Sequence, residues 1–269
     1  MAAPHEQDFS SQNTQHSFIK PYRVSAYECD SECRLKTGTL LNWLQDSMDQ
    51  YSQQLQISRD FFSKNHLSFI LRGYDIAINR LPQWGSAVFM KTMVANTSST
   101  SFFLRQNLYD VPLKQILLSA CSQVVLIDTE RFFPVRIHRY LPASVCEATS
   151  DLPTALPSLN PLPQYAHEYT QPVNYDHIDF NQHVNNANYV TFAERGLSPI
   201  LLRKIQLKRI AIAYKQAAKL GDTLKVQTAL TPNGSAHQIS SATKPNTVFA
   251  RVQFTWDKSM AVTRGQARE

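Results

Sequence analysis

Between Tyr175 and Arg195 the chain places an Asp, an Asn and a His at alternate positions, Asp179, Asn181 and His183, and then two asparagines, Asn185 and Asn186. A carboxylate can attack a carbonyl or deprotonate a water; an amide and an imidazole can orient it and move the proton. On an extended or gently curling backbone, alternation turns all three side chains to one side. Asn185 or Asn186 can cap a helix, because Tyr189, Val190, Ala193 and Leu197 recur behind them at roughly helical spacing. The free N–H groups at such a helix start, with the positive end of its dipole, favour a developing negative charge. The set suits attack on a carbonyl, with Asp179 as base or nucleophile and Asn185 and Asn186 at the substrate. Asn-rich turns also cap helices where no chemistry occurs, and a single Asp or His in one is often only a structural hydrogen-bonding group.

The elements that must hold these residues read in order along the chain. Residues 1–15 are polar and aperiodic, and are expected to be a disordered lead-in. Phe18 to Cys29 reads as a strand. Leu40, Leu41, Leu44, Met48, Tyr51 and Leu55 then form the apolar face of a long buried helix, with Thr37 or Thr39 as its cap. Strands follow at Ser68 to Asn79, Ala87 to Asn96, Ser101 to Tyr109 and Ile116 to Asp128. Prolines 142, 153, 157, 161 and 163 mark an extended linker over 142–164.

After the linker the order repeats. A strand is expected from Tyr169 to Ile178 and a helix from Asn186 to Arg195 stopped by Gly196. Ser198-Pro199 opens a second short helix. Strands then run from Lys208 to Tyr214, Thr223 to Leu230, Ala236 to Ala242 and Thr247 to Trp256. Trp84-Gly85-Ser86-Ala87-Val88 echoes Leu220-Gly221-Asp222-Thr223-Leu224, and Tyr27 with the Leu40 helix parallels Tyr175 with the Tyr189 helix. Two similar units result, 16–141 and 165–258, with a disordered basic tail over 259–269.

Composition bounds the function. The chain has 269 residues, 43% hydrophobic and 18% charged, enough for one large domain or two small ones. No apolar run is long enough to span a membrane, and the opening residues resemble neither a signal nor a transit peptide, so the expected location is the cytoplasm, with no membrane partner. The cysteines, Cys29, Cys33, Cys121 and Cys146, lack zinc-site spacing and are expected to be reduced thiols. The basic residues form no stripe interleaved with aromatics, so no nucleic acid is expected. The net charge of +6 suits an acidic partner, and Arg203-Lys204 with Lys208-Arg209 is the densest basic cluster.

Asp179-Phe180-Asn181-Gln182-His183-Val184-Asn185-Asn186 resembles the Asp-x-Asn-Gln-His-Val-Asn-Asn signature of plant and bacterial acyl-acyl carrier protein thioesterases, in the hotdog superfamily. Trp43-Leu44-Gln45-Asp46 and Pro82-x-Trp84-Gly85 look like the corresponding parts of those enzymes, so the resemblance covers about residues 18 to 258. It implies an α+β tandem double hotdog, each unit a long helix wrapped by an antiparallel sheet. It also implies release of a fatty acid from acyl carrier protein in fatty acid biosynthesis, with no cofactor or metal. By the same resemblance Asn181 holds the attacking water or carboxylate, His183 orients or relays the proton, and the first unit forms much of the acyl cavity. Only the second half of such proteins carries the chemistry, and here Leu35 is expected at the position of His183 in the first half.

Two positions depart from the pattern. Where many relatives have an outer Asp this chain has His177, with Asp176 beside it, and where the plant enzymes have Glu-Cys it has Ala217-Ala218. Glu194 on the helix is the candidate substitute, as a helix carboxylate is in other hotdog thioesterases; an Arg-paired structural Glu is the alternative. A coenzyme A thioesterase and a non-catalytic acyl-binding hotdog protein are the competing functions. The acyl chain length is not legible, and a double unit is compatible with a monomer or a homodimer.

Overall fold

The structure, a computed structural model, describes residues 17–111, 115–147, 155–161 and 164–257. The expected lead-in and tail, and linker residues 148–154 and 162–163, lie outside them. The described chain forms two compact units divided between residues 156 and 157, with 30–32 and 36–41 belonging to the second.

The first unit contains β1 (Phe18–Arg23), α1 (Thr37–Gln54) from Asn42 onward, α2 (Arg59–Asn65), β2 (Leu67–Ile78), β3 (Ala87–Thr97), β4 (Ser101–Asp110), β5 (Ile116–Asp128), β6 (Phe133–Pro134) and α3 (Ala143–Cys146). Its antiparallel sheet runs β1-β3-β4-β5-β2, with β6 on β5. Leu40, Leu41, Leu44 and Tyr51 of α1 are buried, as their spacing requires. Polar contacts fix the helix to the sheet: Gln106 Nε2 donates to Leu44 O at 2.7 Å, Ser47 Oγ meets Thr92 Oγ1 at 2.6 Å, and Tyr22 Oη donates to Asp46 at 2.7 Å. Between α1 and the sheet lies a small, largely apolar pocket lined among others by Met48, Tyr51, Val94, Phe102, Leu104 and Val145.

The second unit contains β7 (His167–Pro172), α4 (Asn186–Arg195), α5 (Pro199–Lys204), β8 (Leu207–Tyr214), β9 (Thr223–Thr231), β10 (Gly234–Ser241) and β11 (Val248–Trp256). Its sheet runs β8-β11-β10-β9-β7, again antiparallel. Tyr169 Oη donates to Phe192 O at 2.6 Å and Tyr214 Oη to Asn186 O at 3.0 Å, so both ends of α4 are tied to strands. Each unit is a helix laid on an antiparallel sheet, and the fold is a double hotdog of the α+β class.

Several boundaries differ from the sequence reading. The expected strands Phe18 to Cys29 and Tyr169 to Ile178 both end early, at Arg23 and Pro172, and give way to short 3-10 turns, Ala26–Glu28 and Tyr175–His177. In each, the side chain three residues on takes the leading N–H: Glu28 Oε2 accepts from Ser25 N at 2.8 Å, and His177 Nδ1 from Asn174 N at 3.0 Å. Thr37 is the first helical residue of α1 and not its cap. The helix α2 has no counterpart in the sequence expectation; Ser58 caps it by accepting from Phe61 N, and His66 closes it in the left-handed region. The linker is not extended at its start, because buried Val145 and Leu141 hold α3 against the first unit. The echo at Gly85 and Gly221 is structural: both have positive φ, +78° and +86°, in the turn before β3 and β9.

His237 on β10 is a buried polar group with both ring nitrogens occupied, Nδ1 at 2.9 Å from Thr228 Oγ1 and Nε2 at 2.8 Å from Ser235 Oγ. Burial pushes its pKa down to about 3, so the ring is neutral, and the two hydroxyls can serve its one N–H and one lone pair. Below the unfolded value of about 6.5 the unfolded chain binds a proton that the native ring refuses, so this contribution to stability is full above that pH and falls as pH drops. Relative to His237→Gln, the wild type should lose about 1.4 kcal/mol between pH 8 and pH 5.5, read by urea unfolding at both pH values. An identical difference at the two pH values would refute the assignment.

Candidate active site

The stretch 178–184 is a closed turn. Ile178 and Val184 form an antiparallel bridge, Asp179 N donates to His183 O at 2.8 Å, and Gln182 N donates to Asp179 O at 3.0 Å. The Asp179 carboxylate closes it from within, Oδ1 accepting from Asn181 N at 2.8 Å and His183 N at 3.4 Å. Gln182 takes φ +62° to complete the reversal. The expected alternation of Asp179, Asn181 and His183 along an extended backbone is therefore not formed: a short acidic side chain that captures the N–H groups two and four residues on bends the chain instead. Asn181 is exposed and Asp179 and His183 half-buried. Among the described residues the Asn181 and His183 side chains and Asp179 Oδ2 make no hydrogen bond.

The turn delivers the chain into α4. Asn185 is the cap, its Oδ1 accepting from Ala187 N at 2.9 Å, while its own N–H goes to His177 O at 2.9 Å. Asn188, unremarked in the sequence, fastens the same carbonyl through Nδ2 at 3.0 Å. The Asn186 carbonyl takes the Tyr214 hydroxyl, but the Asn186 N–H has no partner among the described residues. It is the donor left at this helix start for an incoming oxygen.

The departures at His177 and Ala217-Ala218 have structural roles or consequences. His177 is buried, its ring edge-on to Phe192 at 5.1 Å and its Nδ1 an acceptor, so it serves the 3-10 turn. Ala218 O accepts from Val184 N at 2.9 Å, and Ala218 N donates to Tyr189 Oη at 3.1 Å. This segment therefore touches the Asp179 turn directly and brings no carboxylate to it. Tyr189, read from the sequence only as an apolar helix position, is the phenol beneath; burial pushes its pKa up to about 12.

Glu194 lies further along the helix. It sits eight residues beyond Asn186 on α4, about 12 Å along the helix axis, and its Oε1 accepts from Thr37 Oγ1 at 2.7 Å. The neighbouring Arg195 donates to Gln171 Oε1 at 2.6 Å.

The same turn precedes α1. Cys29 bridges Leu35, Asp30 Oδ1 accepts from Glu32 N at 2.9 Å, and Cys33 has φ +57° as Gln182 has. Matching the bridges pairs Asp30 with Asp179, Glu32 with Asn181 and Arg34 with His183. Leu35 matches Val184, one position away from the expectation, and Tyr27 likewise falls opposite Asp176 and not Tyr175. The turn and its carboxylate occur twice; the Asn and His occur once.

Comparison with known proteins agrees with this fold. Residues 15–143 match the acyl-ACP thioesterase N-terminal domain and residues 163–258 the acyl-ACP thioesterase C-terminal domain. The chain belongs to the acyl-ACP thioesterase family. A chloroplastic acyl-[acyl-carrier-protein] hydrolase of Cuphea viscosissima is 22% identical over 233 residues, 82% of this chain and 57% of that protein. The chloroplastic oleoyl-acyl carrier protein thioesterase 1 of Arabidopsis thaliana is 25% identical over 243 residues, 82% of this chain and 67% of that protein. The chain thus spans little more than half the length of some curated relatives. Among solved structures, an acyl-ACP thioesterase from Bacteroides thetaiotaomicron superposes with a TM-score of 0.78 at 17% identity, over 90% of this chain and 98% of that one. The 12:0-ACP thioesterase of Umbellularia californica gives 0.77 at 17% identity, over 91% and 98%. These two share the fold.

The Asp179 side chain has a structural duty separable from any chemistry. Asp179→Ala, which removes the acceptor for two N–H groups, should cost about 1–2 kcal/mol, whereas Asp179→Asn keeps an oxygen acceptor and should stay within about 0.5 kcal/mol of wild type. Urea unfolding of the two variants checks this; equal losses would mean the turn does not depend on the acceptor.

Proposed function

We propose that this chain hydrolyses the thioester between a fatty acyl group and acyl carrier protein, in fatty acid biosynthesis. The observation that carries the reading is that a carboxylate oxygen in the turn and a backbone N–H at the start of the helix it leads into both lack partners among the described residues: Asp179 Oδ2 and the Asn186 N–H. In this reading the thioester carbonyl oxygen lies at the Asn186 N–H, where the helix dipole stabilises the oxyanion. Asp179 either takes a proton from the attacking water, so that the tetrahedral adduct collapses to the fatty acid and the carrier thiolate, or attacks the carbonyl carbon itself, expelling the thiolate and leaving a mixed anhydride that water then hydrolyses to the fatty acid and the free carboxylate. Asn181 and His183, on the same turn with free side chains, hold the water and move the proton to the leaving sulfur. Asn185 acts by fixing the helix start. Glu194 is a positioning residue through Thr37, remote from the reacting atoms.

Acyl carrier protein as the carrier is supported by the family and by the printed names of the relatives, which are acyl carrier protein hydrolases and thioesterases. A sequence pI of about 9.1 suits an acidic carrier. The cavity between α1 and the sheet of the first unit is the proposed seat of the acyl tail. We place the activity in the cytoplasm, although the plant relatives bear chloroplastic names, and either a monomer or a homodimer satisfies it. A non-catalytic acyl-binding role is the second reading, favoured by the absence of a carboxylate at Ala217-Ala218.

The test is thiol release from a chain-length series of acyl-acyl carrier proteins and the matching coenzyme A esters. The carrier protein series should be cleaved faster, and Asp179→Asn, folded as above, should lower kcat/KM by about a hundredfold or more. Faster cleavage of the coenzyme A esters would reassign the carrier. No release from either series, with fatty acid still bound, would leave the binding role.

A further inference from the structure

Three polar side chains lie inside the first unit with atoms that no group among the described residues satisfies: the Tyr74 hydroxyl, Ser122 Oγ and Gln106 Oε1. Each residue is about 1% exposed. Buried polar atoms without a partner are rare in native proteins, and each calls for a water, an ion or a ligand. A fourth such atom, on Asn107, belongs to the opposite face of β4, since adjacent strand residues point to opposite sides.

None of the three lines the pocket, but their place in the sheet puts them on the face that its wall continues. Val94 and Leu104, which line it, are cross-strand partners on β3 and β4; the same rung continues from Leu104 to Ser122 on β5 and from Ser122 to Tyr74 on β2. Residues paired across antiparallel strands share a face with Cβ atoms about 5 Å apart. The apolar wall thus turns polar along a single rung. Gln106 stands on the next same-face rung, opposite Thr92, and its amide is already oriented, with Nε2 given to Leu44 O at 2.7 Å. That fixes Oε1 as the remaining acceptor. The two hydroxyls can donate or accept, and burial raises the Tyr74 pKa, which keeps it protonated.

We propose that Tyr74, Gln106 and Ser122 form a polar subsite that selects an acyl chain carrying an oxygen substituent, a hydroxyl or a keto group, along its length. The inference rests on the reading that this cavity holds the acyl tail. A hydroxyl bound there donates to Gln106 Oε1 and accepts from Tyr74 or Ser122; a keto oxygen accepts from the two hydroxyls. A plain methylene at the same place leaves all three atoms unpaired, and sites built to bond a substrate hydroxyl discriminate strongly against the analogue without it.

The test is direct binding of free fatty acids, from octanoic to octadecanoic, each compared with its derivatives hydroxylated or oxidised to a ketone at successive positions, by calorimetry on the full chain. At one or two adjacent positions the substituted acid should bind about tenfold tighter or more than the plain acid. That preference should shrink below about threefold in Tyr74→Phe and, independently, in Ser122→Ala, with circular dichroism confirming that each variant folds. Equal binding across the series, or a preference unchanged in both variants, overturns the proposal and leaves buried water as the occupant. No binding of any acid overturns both the subsite and the seat of the tail. Thioester hydrolysis measured beside it separates the two readings: selective binding without hydrolysis refutes the enzyme and keeps the subsite, and hydrolysis without selectivity does the reverse.

Discussion

The arrangement of the candidate site depends on one short-range interaction, the capture of two backbone N–H groups by the Asp179 carboxylate. With Oδ1 committed to Asn181 N and His183 N, the chain must reverse within four residues, and Gln182 must enter the left-handed region. The reversal sets Ile178 against Val184, and so fixes where α4 can begin. A helix that begins there leaves the Asn186 N–H unpaired among the described residues, as Asp179 Oδ2 is. One side chain thus supplies both the frame and, in the reading favoured here, the reacting group. It can do so because a carboxylate has more acceptor sites than the turn consumes.

The same backbone device ahead of α1 shows what is structural in it. Asp30 repeats the bond to the residue two positions on, Cys33 repeats the positive φ, and Cys29 with Leu35 repeats the bridge. What is not repeated is Asn181, replaced by Glu32, and His183, replaced by Arg34. The turn persists where those side chains do not, so its geometry does not require them.

The first unit spends its interior differently. Its helix is fixed to the sheet by Gln106, Thr92 and Ser47, a buried polar strip whose members are only partly satisfied, next to an apolar cavity on the same strands. In the second unit the corresponding polar group, His237, is satisfied on both nitrogens. One interior is closed chemically and the other retains unmet bonding capacity, a difference that follows from where hydroxyls happen to face a partner at hydrogen-bond distance.

The sequence alone determined the elements and their duplication, because these depend on residues near each other along the chain: the apolar period of α1, the span Asn186 to Arg195 closed by Gly196, the Ser198-Pro199 start, and the glycine turns before β3 and β9. It also marked Asp179, Asn181 and His183 as the residues to examine. Only the tertiary structure decided how they are presented, because alternation predicts a shared side only on an extended backbone, and a side-chain-to-backbone bond overruled that condition. It likewise separated Glu194 from the turn by two helical turns, moved the match of His183 from Leu35 to Arg34, and set Ala218 and Tyr189 beneath the site. Those relations join positions up to dozens of residues apart, through bridges and hydrogen bonds whose register no local pattern of residue types encodes.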